Sequence, residues 1–109
     1  MNWTVEYSRE ARKNLNDIFE HIAYSLKELE IARKQLRKIV KIVNSLDFMP
    51  YRHPIYIYEP FFSIKICSIA VGKYIVFYIP MLEDSIVKIV GITYGGRNME
   101  YYSNSINRI

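Results

Sequence analysis

Three strand-like runs in the last third of the sequence, Phe62 to Ala70, Tyr74 to Pro80 and Ser85 to Thr93, follow one another across very short links. The links, Val71, Gly72 and Lys73 and then Leu82, Glu83 and Asp84, are too short for a crossover helix, so the runs are expected to pair antiparallel as a meander. Ahead of them, Trp3, Val5 and Tyr7 alternate with Asn2, Thr4 and Glu6, which predicts a short opening strand. Ser8 is placed to cap a helix starting at Arg9, whose apolar positions Leu15, Ile18, Phe19, Ile22 and Leu26 recur at spacings of three and four. Arg12, Lys13, Asn16 and Glu20 fall mainly on its water side, and a break is expected near Ser25.

A second helical pattern runs from about Leu26 to Leu46, with Leu29, Ala32, Leu36, Ile39, Val40 and Val43 on one face. Two helices with almost no linker form an antiparallel hairpin, which can cover one face of a sheet. Pro50 to Pro60 is expected to be irregular or edge-like, because proline removes a ladder donor. The order β-α-α-β-β-β is α+β: an N-terminal strand and a two-helix hairpin packed on a twisted antiparallel sheet, the first strand joining at an edge or beside the centre. At 109 residues, positions 1–109 are expected to form a single domain.

Half the residues are apolar and 24% are charged, which suits a globular chain and excludes wholesale disorder. Fifteen lysines and arginines against eleven acids give a formal charge of +4, favouring an anionic partner, nucleic acid or acidic protein, and also serving solubility. Residues 31–41 concentrate that charge: Arg33, Lys34, Arg37, Lys38 and Lys41 occur there with no acid among them. They form a positive ridge above an apolar stripe, suited to a nucleic acid or protein partner and equally to an ordinary solvated helix face. One cysteine excludes an internal disulfide, and Cys67, His21 and His53 have no zinc-ligand spacing. No carboxylate pair is spaced for metal-assisted hydrolysis and no glycine-rich nucleotide loop occurs, so neither metal nor cofactor is expected. The first thirteen residues are mostly polar and no apolar run approaches ~20 residues, so the expected location is cytoplasmic, without a membrane partner.

Chemistry is sought where cations and hydrogen-bonding rings gather. Arg97 follows Gly95 and Gly96 beyond the last strand, where its guanidinium suits either a phosphate, held by two hydrogen bonds, or an ion pair with Glu100. Tyr94 is placed where a ring can leave the core, whereas most of the ten tyrosines are expected to fill the sheet face. Arg52 and His53 lie in the proline-punctuated segment, and a histidine near neutral pKa can act as acid or base or sit at the surface. Lys65 alternates with Ile64 and Ile66, so its charge should leave the apolar face on the same side as Cys67. Lys73, at the first turn, joins the ridge as a candidate contact to nucleic acid or partner.

In order and spacing, the opening strand leading into YSREARKNLNDIFEHI, the second long helix, PYRHP, VGKYIVFY and VKIVGITYGGRN resemble the RelE/ParE family of bacterial type II toxins. That resemblance implies a toxin neutralised by a cognate antitoxin that wraps it. It implies in the first place an mRNA interferase, cutting messages on the ribosome by metal-independent attack of a 2′-hydroxyl on the adjacent phosphorus, with a ParE-like inhibitor of DNA gyrase that binds without catalysis as the alternative. In the first case Arg97, with Lys65 or Arg52, would neutralise nonbridging oxygens while Tyr94 or His53 handled a proton. Arg97 matches the arginine of the family's common His-Gly-x-Arg-Asp ending, with Tyr94 where histidine is frequent and Asn98 where aspartate is frequent. Cys67 and Gly91 stand where many members have arginine, and Lys65 offers a replacement charge.

Overall fold

A computed structural model describes residues 2–95. Strand β1 (Thr4–Tyr7) leads into helix α1 (Arg9–Glu20), capped as expected: the Ser8 Oγ accepts from the Ala11 N–H at 3.0 Å. The same hydroxyl donates to the Val90 carbonyl at 3.3 Å, so the cap also ties the helix start to the last strand. The break expected near Ser25 is a π-helical turn over His21–Ser25. Lys27, at φ 54°, then reverses the chain into α2 (Leu29–Asn44). This helix is shorter than its sequence pattern, since Leu26 falls before it, exposed at the hairpin tip, and Ser45–Asp47 tightens into a 3-10 turn.

Strands β2 (Cys67–Val71), β3 (Tyr74–Met81) and β4 (Ile86–Tyr94) form the expected antiparallel meander, with Gly72 at φ 61° in its first turn. β1 joins at the edge and runs parallel to β4, giving the order β1-β4-β3-β2 and a mixed sheet. β4 carries one extra residue: Phe77 faces Gly91 while Tyr78 faces Ile89, so Val90 bulges between them. Ile89 and Ile92, three apart, therefore share the helix-facing side, and Val90 reaches the opposite side.

The sheet separates two cores. On the helix side Ile39, Val43, Leu46, Val76, Tyr78, Val87, Ile89 and Ile92 are almost wholly buried. On the other side Phe61 and Ile66 pack with Phe77 and Val90, and Tyr56 edges onto Phe61 and Phe77 at 5.9 and 5.1 Å between ring centroids. The irregular segment after Pro50 supplies this second layer, held by the Tyr56 N–H on the Ile66 carbonyl (2.8 Å) and an isolated bridge from Ile55 to Cys67.

The first meander strand starts five residues later than its sequence pattern. Residues 61–65 form turns, Lys65 has φ 60°, and its N–H donates to the Phe62 carbonyl. Lys65 is therefore exposed on a turn rather than alternating along a strand with Cys67, which is buried in the helix-side core.

Candidate functional site

Antiparallel register places Tyr94, the last residue of β4, opposite Tyr74, with their rings edge-on at 6.1 Å. The Gly95 N–H donates to the Lys73 carbonyl at 2.8 Å and pins the strand end to the β2–β3 turn. A Cβ at Gly95 would lie 3.3 Å from that carbonyl, so the close approach favours glycine. Beside this junction a cleft of about 580 Å³ opens between the end of α1 and the sheet. Ile18, Ile22 and Ile92 contribute apolar surface, and Asp17, His21, Lys73 and Tyr94 bring polar groups to the same space. Burial, and secondarily the neighbouring Tyr94, raises the Tyr74 phenol above its ordinary pKa. Asp17 is also drawn outward by Lys13, at 3.6 Å on an exposed helix face.

Tyr94 and Lys73 are thus brought together, while the other described candidates lie elsewhere. Arg52 folds back on the end of α2: its guanidinium donates to the carbonyls of Ser45 (3.2 Å), Phe48 and Met49 (3.4 Å) and to the Ser45 Oγ (2.9 Å). His53 packs edge-on against Tyr78 at 6.5 Å, and burial, helped by the Arg52 charge, lowers its pKa. Tyr78 stands four residues along β3 from Tyr74, roughly 13 Å at strand spacing. The Tyr78 hydroxyl donates to the Pro50 carbonyl at 2.7 Å, and burial, then Cys67, pushes that phenol far above its usual range. Cys67 is buried, which raises its thiol, and Gly91 is buried opposite Phe77. Lys65 is outside the cleft's lining, and Arg97 and Asn98 lie outside the described residues.

Sequence reading missed Asp17 and His21 as cleft residues. Their i,i+4 spacing was the available signal, placing both on one helix face with Asn14 and Ile18. Among the described residues no group of three or more histidines, cysteines or acids is placed to hold a metal ion. No described helix is long and apolar enough to cross a membrane.

A second concavity, about 340 Å³, lies between the helices, lined by Tyr7, Leu15, Phe19 and Leu36 with Arg12 and Asn16 at its polar margin. Through Leu36 it meets a shallower depression of about 530 Å³ carrying Arg37, Val40, Lys41 and Asn44. The Tyr7 hydroxyl is buried without a hydrogen-bond partner among the described residues, and burial raises its pKa. Beyond this groove Arg33, Lys34, Arg37, Lys38 and Lys41 are all exposed on α2, Arg33 pairing with Glu30 at 3.0 Å.

The fold recurs in solved toxins. The chain matches one from the chromosomal ParDE toxin-antitoxin system of P. aeruginosa with a TM-score of 0.69 and 18% identity, over 84% of this chain and 95% of that one. It matches one from the M. tuberculosis RelBE2 toxin-antitoxin complex at 0.62 and 20% identity, over 86% and 92%. A mutant E. coli toxin RelE in the free state gives 0.54 and 14% identity, over 100% and 99%. Among curated proteins none matches this chain in sequence. The family model described as ParE toxin of type II toxin-antitoxin system, parDE, matches residues 5–99, from β1 to just past the β4 cleft. By that match, along nearly its whole length, the chain belongs to the ParE toxin family of type II toxin-antitoxin systems, within the wider RelE/ParE fold group.

Proposed function

We propose that this toxin acts in the cytoplasm by binding DNA gyrase, and that a cognate antitoxin holds it inactive. The observation that carries this reading is the dispersal, among the described residues, of the groups other than Arg97 that an RNA-cleaving site would need. Metal-independent transesterification requires cations and a proton-transfer group converging on one phosphate. Among the described residues, the lining of the Tyr94 cleft holds Lys73 but no arginine. Arg52 is engaged with carbonyls, His53 is packed on Tyr78, and Lys65 sits on a separate turn. At the two positions where the family resemblance expects arginine, Cys67 and Gly91 are buried. The family match to ParE supports the same choice.

The antitoxin is proposed to lay an acidic amphipathic helix in the interhelical groove. Leu15, Phe19 and Leu36 would receive its apolar side chains, while Arg12, Arg37 and Lys41 offer charge to its acids. Two of the similar structures come from toxin-antitoxin systems, which supports an antitoxin for this chain. An RNA-cleaving alternative rests on Tyr94 beside Lys73, with Arg97 three residues further on. A supercoiling assay with purified gyrase, run beside primer extension on translated messages, separates the two. Stoichiometric loss of supercoiling, reversed by antitoxin, with intact messages is expected; normal supercoiling with cut messages overturns the proposal.

A further inference from the structure

The exposed face of α2 is unusual in what it concentrates. Arg33, Arg37 and Lys41 form one row at four-residue spacing, and Lys34 and Lys38 form a second beside it. Glu30 pairs with Arg33, while Lys34, Arg37, Lys38 and Lys41 have no ion-pair partner among the described residues. Like charges four apart destabilise a helix, and this one keeps three such pairs. From Arg33 to Lys41 the rows run eight residue steps, roughly 12 Å of axis at helical rise, on a helix held rigid by Ala32, Ile39 and Val43 in the core.

We infer that this face is a docking surface for duplex DNA. Leu36 and Val40 lie to one side in the groove, and the exposed Leu29 and Ile31 stand at the N-terminal end of the helix, so from Arg33 to Lys41 the rows themselves are cationic. A phosphate backbone fits such a face without a pocket: it offers one charge per ~1.7 Å of duplex axis and is held mainly by counterion release. The inference rests on the gyrase proposal only for where the toxin meets DNA, since gyrase acts on a duplex that the toxin would touch together with the enzyme. Arg37 and Lys41 border both surfaces, so a helix in the groove would hide part of the DNA face. Lys34 and Lys38 stand outside the groove's lining and report on DNA alone.

Fluorescence anisotropy with the full-length toxin and a labelled 20-base-pair duplex of arbitrary sequence, across a salt series, tests the inference. Binding at 50 mM salt is expected, with log K falling against log salt at a slope of about −4, as for four or five neutralised phosphates. Replacing both Lys34→Gln and Lys38→Gln should weaken binding at least tenfold at that salt and make the slope shallower by about 2. Relief of charge repulsion should leave the thermal midpoint of that double variant unchanged or higher, so its loss of binding would not reflect unfolding. Absent binding at 50 mM salt, unchanged affinity and slope in the variant, or a preference for single-stranded RNA overturns the inference. DNA binding without loss of supercoiling rejects only the gyrase proposal, whereas loss of supercoiling without DNA binding rejects only the DNA surface.

Discussion

The guanidinium of Arg52 reaches three carbonyls and one hydroxyl around the end of α2; the Ser45 and Met49 carbonyls also accept from the Phe48 and Arg52 N–H groups, so the side chain adds to these bonds and ties the following turn to the helix end. Arg52→Met should therefore lower folding stability by about 1–2 kcal/mol, a modest figure because the side chain is exposed. Urea unfolding measures that change, and gyrase inhibition at equal folded concentration should match the parent. A selective loss of inhibition would instead assign Arg52 to the target surface. His53 gives a second residue-scale expectation. Burial, then the Arg52 charge, holds its folded pKa below the unfolded value of 6.5, so the unfolded chain binds more protons between those two values. Its stabilising contribution is fully present above pH 6.5 and declines as pH falls through the window toward the folded pKa. Thermal midpoints of the parent and His53→Gln should converge toward the acid end of that window; parallel pH profiles would remove His53 as the cause.

Among the elements, α1 does more than cover the sheet: it finishes an edge that β1 is too short to cover. β1 pairs along β4 only as far as Ile89, and beyond it the Asn14 Oδ1 accepts from the Ile92 N–H at 2.9 Å. Asn14→Ala should cost about 1–3 kcal/mol by leaving that donor unpaired, and should speed hydrogen exchange at Ile92 far more than at Val76 in the sheet centre. Uniform acceleration at both amides would mean a global effect. The contrast with Ser8 explains what sequence made legible. A cap is local, three residues from the N–H it accepts from, so Ser8 and the start at Arg9 could be read directly. Asn14 acts on a strand 78 positions away, and nothing near it announces that contact. Lys65 failed for another reason: the alternation of Ile64, Lys65 and Ile66 imitates a strand, yet Lys65 turns the chain at positive φ. Ile66 then enters one core and Cys67 the other. The Tyr94–Lys73 junction follows from short antiparallel links, whereas Asp17 and His21 join it only through the docking of α1.

Across the whole molecule, one sheet is buried on both sides by unequal covers, a helical hairpin and an irregular segment centred on Phe61. Phe61 is fully buried and meets Phe77 edge-on at 4.7 Å, so Phe61→Ala should cost about 3–5 kcal/mol in chemical unfolding. It should expose residues 55–66 to limited proteolysis before the helices are cut, and simultaneous cleavage of both covers would show that they unfold as one. The groove proposed for the antitoxin and the basic ridge both belong to the hairpin cover, so a partner bound there would be coupled to inner-core stability through α2. The parallel pairing of β1 with β4 joins segments about 82 positions apart, as the Ser8–Val90 contact records. During synthesis at roughly 5–20 residues per second, β1 waits several seconds for its neighbour to leave the ribosome. The nascent toxin therefore cannot complete its sheet until β4 has followed β1 out of the ribosome, and for that interval β1 stands without its partner strand.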